Sequence, residues 1–134
     1  MSPKEIVDKM MAEDAFSKLL GMEVKEIEAG SCILEMQLTE VMLNGMGSAH
    51  GALTYALSDS ALAFASNAYG WLCVSVETSI SHLLAVKAGD RLRAVASEIH
   101  RSRSLAHYEV NVQNQRGEKV AYFKGLVKIS TQPW

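Results

Sequence analysis

The chain of 134 residues has only two cysteines, Cys32 and Cys73, and no CxxC pair. That excludes a disulfide framework and a thiolate metal knuckle, and both are expected as small buried hydrophobes. Charge of one sign is also missing. Thirteen Lys and Arg stand against 15 Asp and Glu, a formal net charge of -2, so no overall basic signal points to nucleic acid or an acidic membrane. No long run is purely apolar. The most apolar stretch, Gly51 to Tyr69, carries Thr54, Ser58, Asp59, Ser60, Ser66 and Asn67, a polar load unsuited to so short a membrane span. The N-terminus, MSPKEIVDKMM, lacks the apolar core of a secretory signal, and a cytoplasmic protein with no membrane partner is expected. His50, His82, His100 and His107 show no HExxH or other ligand spacing. With no GxGxxG and no P-loop either, neither a metal nor a separate cofactor is expected. No repeat, low-complexity run or linker divides the chain, so residues 1–134 are expected to form one domain, long enough to bury a core unaided.

What is present alternates in a readable order. Residues 3–20 predict a helix: Pro3 suits its first turn, and Ile6, Val7, Met10, Met11, Phe16, Leu19 and Leu20 recur at helical spacing up to Gly21. Residues 22–28 and 31–39 alternate apolar and polar around Ala29-Gly30, which predicts a hairpin. A glycine-bearing loop, 41–51, leads into a second helix over about 51–69 that is apolar nearly all round and closed by Gly70. Such a helix is buried on most of its faces. Four strand-like segments follow, about 72–82, 90–100, 105–115 and 119–130, read as a meander. The fold class is therefore α+β, an antiparallel sheet with one long helix against its face.

Asp59 is the residue that asks for an explanation. It sits mid-helix among alanines and leucines, where Asp is a poor helix former and is seldom buried without a partner. Alone, it is better read as a loop cap or an interface residue. The start of the same helix adds a second feature. Gly51 follows His50, and free N–H groups at a helix N-terminus favour developing negative charge. A carbonyl oxygen aimed at the Gly51 N–H would be polarised there, with no Cβ in its way. Asn44, across the loop, can hydrogen-bond a carbonyl, a water or the loop backbone. Eight residues separate Gly51 from Asp59, about 12 Å of helix. One carbonyl cannot touch both groups of one helix. If both serve one reaction, the Asp comes from one chain and the N–H from another, so a homodimer with two equivalent interface sites is expected.

The pattern Asn44, His50-Gly51-Ala52, Leu57-Ser58-Asp59-Ser60-Ala61 and Asn67 resembles hotdog-fold acyl-CoA thioesterases of the phenylacetate-degradation type. The similarity continues through Val74-Ser75-Val76, Ala88-Gly89-Asp90-Arg91-Leu92 and Val120 to Gly125, and covers the chain from about residue 20. It implies a curved antiparallel sheet wrapped around the central helix, with an N-terminal helix outside. It also implies hydrolysis of an acyl-CoA to free acid and CoA. By resemblance, Asp59 is nucleophile or general base and the Gly51 N–H is the oxyanion donor. Asn44 and His50 orient the loop, water or carbonyl, and Ser75 assists the acid. Two departures are visible: Ala52 replaces a second glycine, and Ala63 stands where some related enzymes carry a threonine. The expected assembly is a homodimer, and beyond it a homotetramer built as a dimer of dimers.

Among the basic residues, Arg101, Arg103 and Lys124 are the candidates to hold CoA phosphates. His82, with Tyr55, Leu62, Phe64, Met42 and Met46, is a candidate for the acyl pocket. Two other readings share the fold: a hydratase or dehydratase acting on a 3-hydroxyacyl chain, and a non-catalytic acyl-CoA-binding module.

Overall fold

The computed structural model describes residues 1–134. Helix α1 (Pro3–Glu13) opens with a reciprocal cap. Ser2 Oγ accepts the Glu5 N–H at 3.1 Å, and the Glu5 carboxylate accepts the Ser2 N–H at 2.7 Å. With Pro3 in the first turn, this fixes where the helix starts. The single helix predicted over 3–20 is in fact two. Asp14 leaves helical geometry at φ −83°, ψ 82°, and its carboxylate accepts the Ser17 N–H at 2.9 Å, starting helix α2 (Ala15–Leu19). A short acidic side chain that bonds backbone ahead of it competes with helix continuation and favours a cap. The break leaves Ile6 and Val7 buried but turns Phe16 and Leu19 to solvent.

Strands β1 (Glu23–Glu28) and β2 (Ser31–Gln37) form the expected hairpin, turned at Gly30 with a φ of 87° that side chains resist. A single 3-10 turn at Glu40–Met42 and a loop lead to helix α3 (Gly51–Asn67). Then come β3 (Trp71–His82), β4 (Arg91–Arg101), β5 (Leu105–Gln113) and β6 (Lys119–Pro133). All neighbours are antiparallel, in the order β1-β2-β4-β5-β6-β3. The meander expected of four strands is thus a meander of three. Strand β3 pairs with β6 and lies at the far edge from β1. Periodicity marks a strand but not its neighbour, and here the chain crosses from one edge to the slot beside β2 before the meander begins.

Helix α3 touches all six strands. Their alternate residues face it, and Leu34, Met36, Leu92, Tyr108, Val110 and Phe123 are completely enclosed. Each large side chain buried in this way contributes about 1.5–3 kcal/mol. Small residues, including Ala94, Ala96, Ala106 and Ala121, let the helix backbone come close. The tightest approach is at Gly125 on β6, where a Cβ would lie 2.2 Å from Leu62 Cδ1. Asn67 fastens the other end. Its amide donates to Ala63 O and Cys73 O, and its Oδ1 accepts from the Cys73 N–H and from Trp134 Nε1. This is the α+β hotdog arrangement, a sheet curved around one long helix with an N-terminal helix outside. No helix is long and apolar enough to cross a membrane.

Gly125→Ala is expected to cost about 1–3 kcal/mol by overpacking. Leu62 is buried, so its side chain can move aside only by displacing other core groups. Urea unfolding should show a lower midpoint at unchanged slope; an unmoved midpoint would mean that α3 and β6 are not in close contact.

Candidate active site

The loop before α3 is folded so that the first N–H of the helix is left free. Asn44 Oδ1 accepts the N–H groups of Met46 and Ser48 at 2.9 and 3.2 Å, and Leu43 bridges Ala49. The His50 N–H is bound by Met42 O, while His50 Nδ1 accepts the Ala52 N–H at 3.0 Å as the cap of α3. The ring therefore carries its proton on Nε2 and serves the loop. The Gly51 N–H has no acceptor in the chain. It opens on a pocket of about 370 Å³ lined by Asn44, Gly51, Thr54, His82, Leu83 and Leu84, among others. Thr54 Oγ1 donates to Gly51 O at 3.2 Å and lies 3.3 Å from His82 Nδ1. A Cβ on Gly51 would sit 3.2 Å from His82 Nε2. Asn44, Gly51 and His82, proposed separately from the sequence, thus share one pocket. Thr54 was missed; its signal was a small hydroxyl one turn into an otherwise apolar helix.

Asp59 lies two turns further along α3, on the one stripe of that helix the sheet leaves uncovered. Ala52 and Tyr55 on this stripe are exposed, and Ala56, Asp59 and Ala63 are half-buried. The carboxylate has no hydrogen-bond partner in the chain, and burial, with a smaller push from the charge of Asp14, raises its pKa above the usual aspartate value. Ser75 on β3, expected to assist it, supplies no bond in the chain. Ser75 nevertheless belongs to the helix-facing side of the sheet, in register with buried Val127. The Tyr55–Thr78 and Asn67–Cys73 bonds bracket it, so it stands near the level of Asp59.

The basic candidates are dispersed. Lys124 is exposed on the outer face of β6, beside Ser79 and Glu109. The Arg101 guanidinium stacks 3.8 Å from the centre of the Tyr69 ring and stands 3.9 Å from Glu98, with Nη1 buried and without an acceptor. Arg103 is exposed near it, at the end of α3 opposite Gly51. Of the apolar candidates, Leu62, Phe64 and Met42 are core, whereas Tyr55 and Met46 are exposed.

Residues 46–121, more than half of the chain and the whole of the Gly51–Asp59 segment, match the thioesterase superfamily. The chain belongs to the thioesterase superfamily. It is similar to the Escherichia coli acyl-coenzyme A thioesterase PaaI, with 34% identity over 116 residues, 87% of this chain and 83% of that one. The solved E. coli PaaI protein of the phenylacetic acid degradation operon superposes with a TM-score of 0.96 at 30% identity, over 98% of this chain and 95% of that one. A Streptococcus mutans protein solved bound to acetyl-CoA superposes at 0.81, with 26% identity over 84% and 91% of the two chains. This thioesterase is accordingly an enzyme, a thioester hydrolase.

An acid whose pKa is raised by folding stabilises the fold while protonated, and that contribution is lost as pH rises through the folded pKa. Asp59→Asn is therefore expected to raise the melting temperature of the thioesterase at neutral pH. The gain should fade as pH falls from the raised folded pKa toward the ordinary aspartate range, below which the native carboxyl is neutral both folded and unfolded. A difference that stays constant with pH would contradict the desolvation of Asp59.

Proposed function

We propose that this thioesterase hydrolyses an acyl-CoA to free acid and CoA in a site shared by two copies of the chain. The carrying observation is the pair of unmet groups on one helix. The Gly51 N–H lacks an acceptor, Asp59 lacks a donor, and about 12 Å of α3 lies between them. The similarity to acyl-CoA thioesterases and to an acetyl-CoA complex supports the substrate class.

The chemistry follows from these groups. The thioester oxygen accepts the Gly51 N–H of one chain, and Asp59 of the partner subunit attacks the carbonyl carbon or deprotonates the water that does. Negative charge develops on the oxygen, where an aimed N–H in a closed site contributes about 2.7–4 kcal/mol. The C–S bond then breaks, and CoA leaves as the thiolate. When Asp59 attacks first, water cleaves the resulting anhydride. Asn44 stands beside Gly51 to hold the carbonyl or water, and Ser75 stands near Asp59 to donate to it.

The same geometry supports one arrangement of the pair. If each Asp59 serves the partner's Gly51, a two-fold axis must pass α3 midway between them, at the level of Tyr55, with the two helices antiparallel. Tyr55 is the large exposed side chain on the uncovered stripe, and β3, with Val74 and Val76 exposed, is the edge strand nearest it. An antiparallel pair also brings the Arg101–Arg103 end of one chain toward the partner's Gly51 loop, where a CoA phosphate could be held. The dimer-of-dimers expected from the sequence is not required by this site.

Asp59→Asn is expected to abolish nearly all CoA release while the fold and the dimer persist. Gly51→Pro removes the N–H at a helix position that tolerates proline, and should do the same; Gly51→Ala, which keeps the N–H, is the control for the added Cβ. Mixing the two inactive variants decides the sharing. Random dimers would regain about one quarter of native activity, since half are mixed and each mixed dimer has one intact site. No regain would place both groups in one chain and overturn the shared site. Arg103→Ala should raise KM for acyl-CoA more than it lowers kcat; an unchanged KM would remove Arg103 from the CoA site.

A further inference from the structure

Where the N-terminal helix breaks, it brings a second acid to the middle of α3. Asp14 Oδ1 accepts the Ser17 N–H at 2.9 Å, and Asp14 Oδ2 accepts the Ser17 hydroxyl at 2.7 Å. Ser17 Oγ lies 2.9 Å from Ser60 Oγ on α3. Ser17 has one hydroxyl proton, and it is committed to Asp14, so Ser60 is the donor to Ser17. The three side chains form a directed chain, Ser60 to Ser17 to Asp14, that ends on a carboxylate. Ser17 is buried, and Ser60 is the residue after Asp59.

We propose that Asp14 is a positioning residue of the reaction: held against α3 through Ser17 and Ser60, its carboxylate acts through its negative charge on the neighbouring Asp59. Resting on the reading of Asp59 as the reacting carboxylate, this gives the N-terminal helices a part in the chemistry. Two carboxylates held near each other compete for ionisation, and the more solvent-deprived one holds its proton more tightly. A base or nucleophile that binds a proton more tightly attacks more readily once ionised, provided it is still ionised at working pH.

Within one chain, Asp14 is the acid that acts on Asp59. Burial is the larger cause of its raised pKa and the charge of Asp14 the second, with no other charged group contributing. The acids and lysines of α1 are exposed, and Lys18 on α2 is bound to Ala12 O. On β3, Ser75 and Thr78 face the helix, whereas exposed Glu77 pairs with Leu126 on the outer side. Tyr55, one turn before Asp59, is bonded to Thr78.

Asp14→Asn and Asp14→Ser both remove the charge and keep a good helix cap, so α2 should persist. In the full-length enzyme, kcat/KM for an acyl-CoA should fall off at lower pH than in the native protein, with a lower plateau above that limb. An acid limb that stays in place in both variants overturns the proposal, and lost thermal stability with an unmoved limb would assign Asp14 a structural role only. The carboxyl resonance of Asp59, followed by carbon NMR, should titrate at lower pH in both variants. That readout does not depend on turnover. If Asp59→Asn stays active, the catalytic reading of Asp59 falls, whereas an unmoved Asp59 titration removes the influence of Asp14.

Discussion

One helix has to satisfy the inner faces of six strands. Almost every side of α3 is committed to that task, and at Gly125 the fit leaves no room for a methyl group. Asn67 locks one end to β3 and to Trp134, and the His50 cap and the Leu43–Ala49 bridge hold the other. A rod fixed in this way cannot slide to bring two of its own residues to one reacting atom. The distance between Gly51 and Asp59 is therefore a fixed property of the fold, and a second chain is the economical way around it. The stripe that the sheet leaves uncovered is where that chain would have to sit.

Two kinds of positive end are available at Gly51, and they differ in scale. A helix N-terminus at an exposed surface favours an anion by about 0.3–1 kcal/mol. A single aimed N–H in a water-excluded site contributes several times more. Gly51 is exposed in the single chain, so a partner that covered it would add more than the dipole behind it. His50 has a double effect, because by capping Ala52 it takes the second N–H out of play and leaves the first one unpaired. At Asp59 the logic is reversed. Burial and a like charge both oppose ionisation there, so the fold bears a cost at the carboxylate proposed to react.

Much of this was legible in the residues. Helix α3, the hairpin at Gly30 and the late strands carry their periods openly, and the eight-residue spacing from Gly51 to Asp59 needed only the rise of a helix. What was hidden depends on partners distant in the chain. Asp14 reads as one more surface acid until its carboxylate is seen capping Ser17, and only the fold brings Ser60 to meet them. The strand β3 has an ordinary pattern, but its neighbour is β6, some fifty residues on. Arg101 looks like a free cation beside Arg103, yet its guanidinium is stacked on Tyr69, which follows α3. Asn44 and His50 sat where their loop chemistry suggested, because Asx and cap bonds are local.

The polarising group proposed at Gly51 belongs to the main chain. Side-chain replacement cannot delete it; among the common residues only proline lacks the N–H. Such a group is inherited with the helix itself, and drift at that codon threatens the space around it more than the donor. Substrate preference can then diverge along the walls, at Leu83 and Leu84, without touching the atom that would receive the developing charge. A family built this way can change what it accepts while keeping how it reacts.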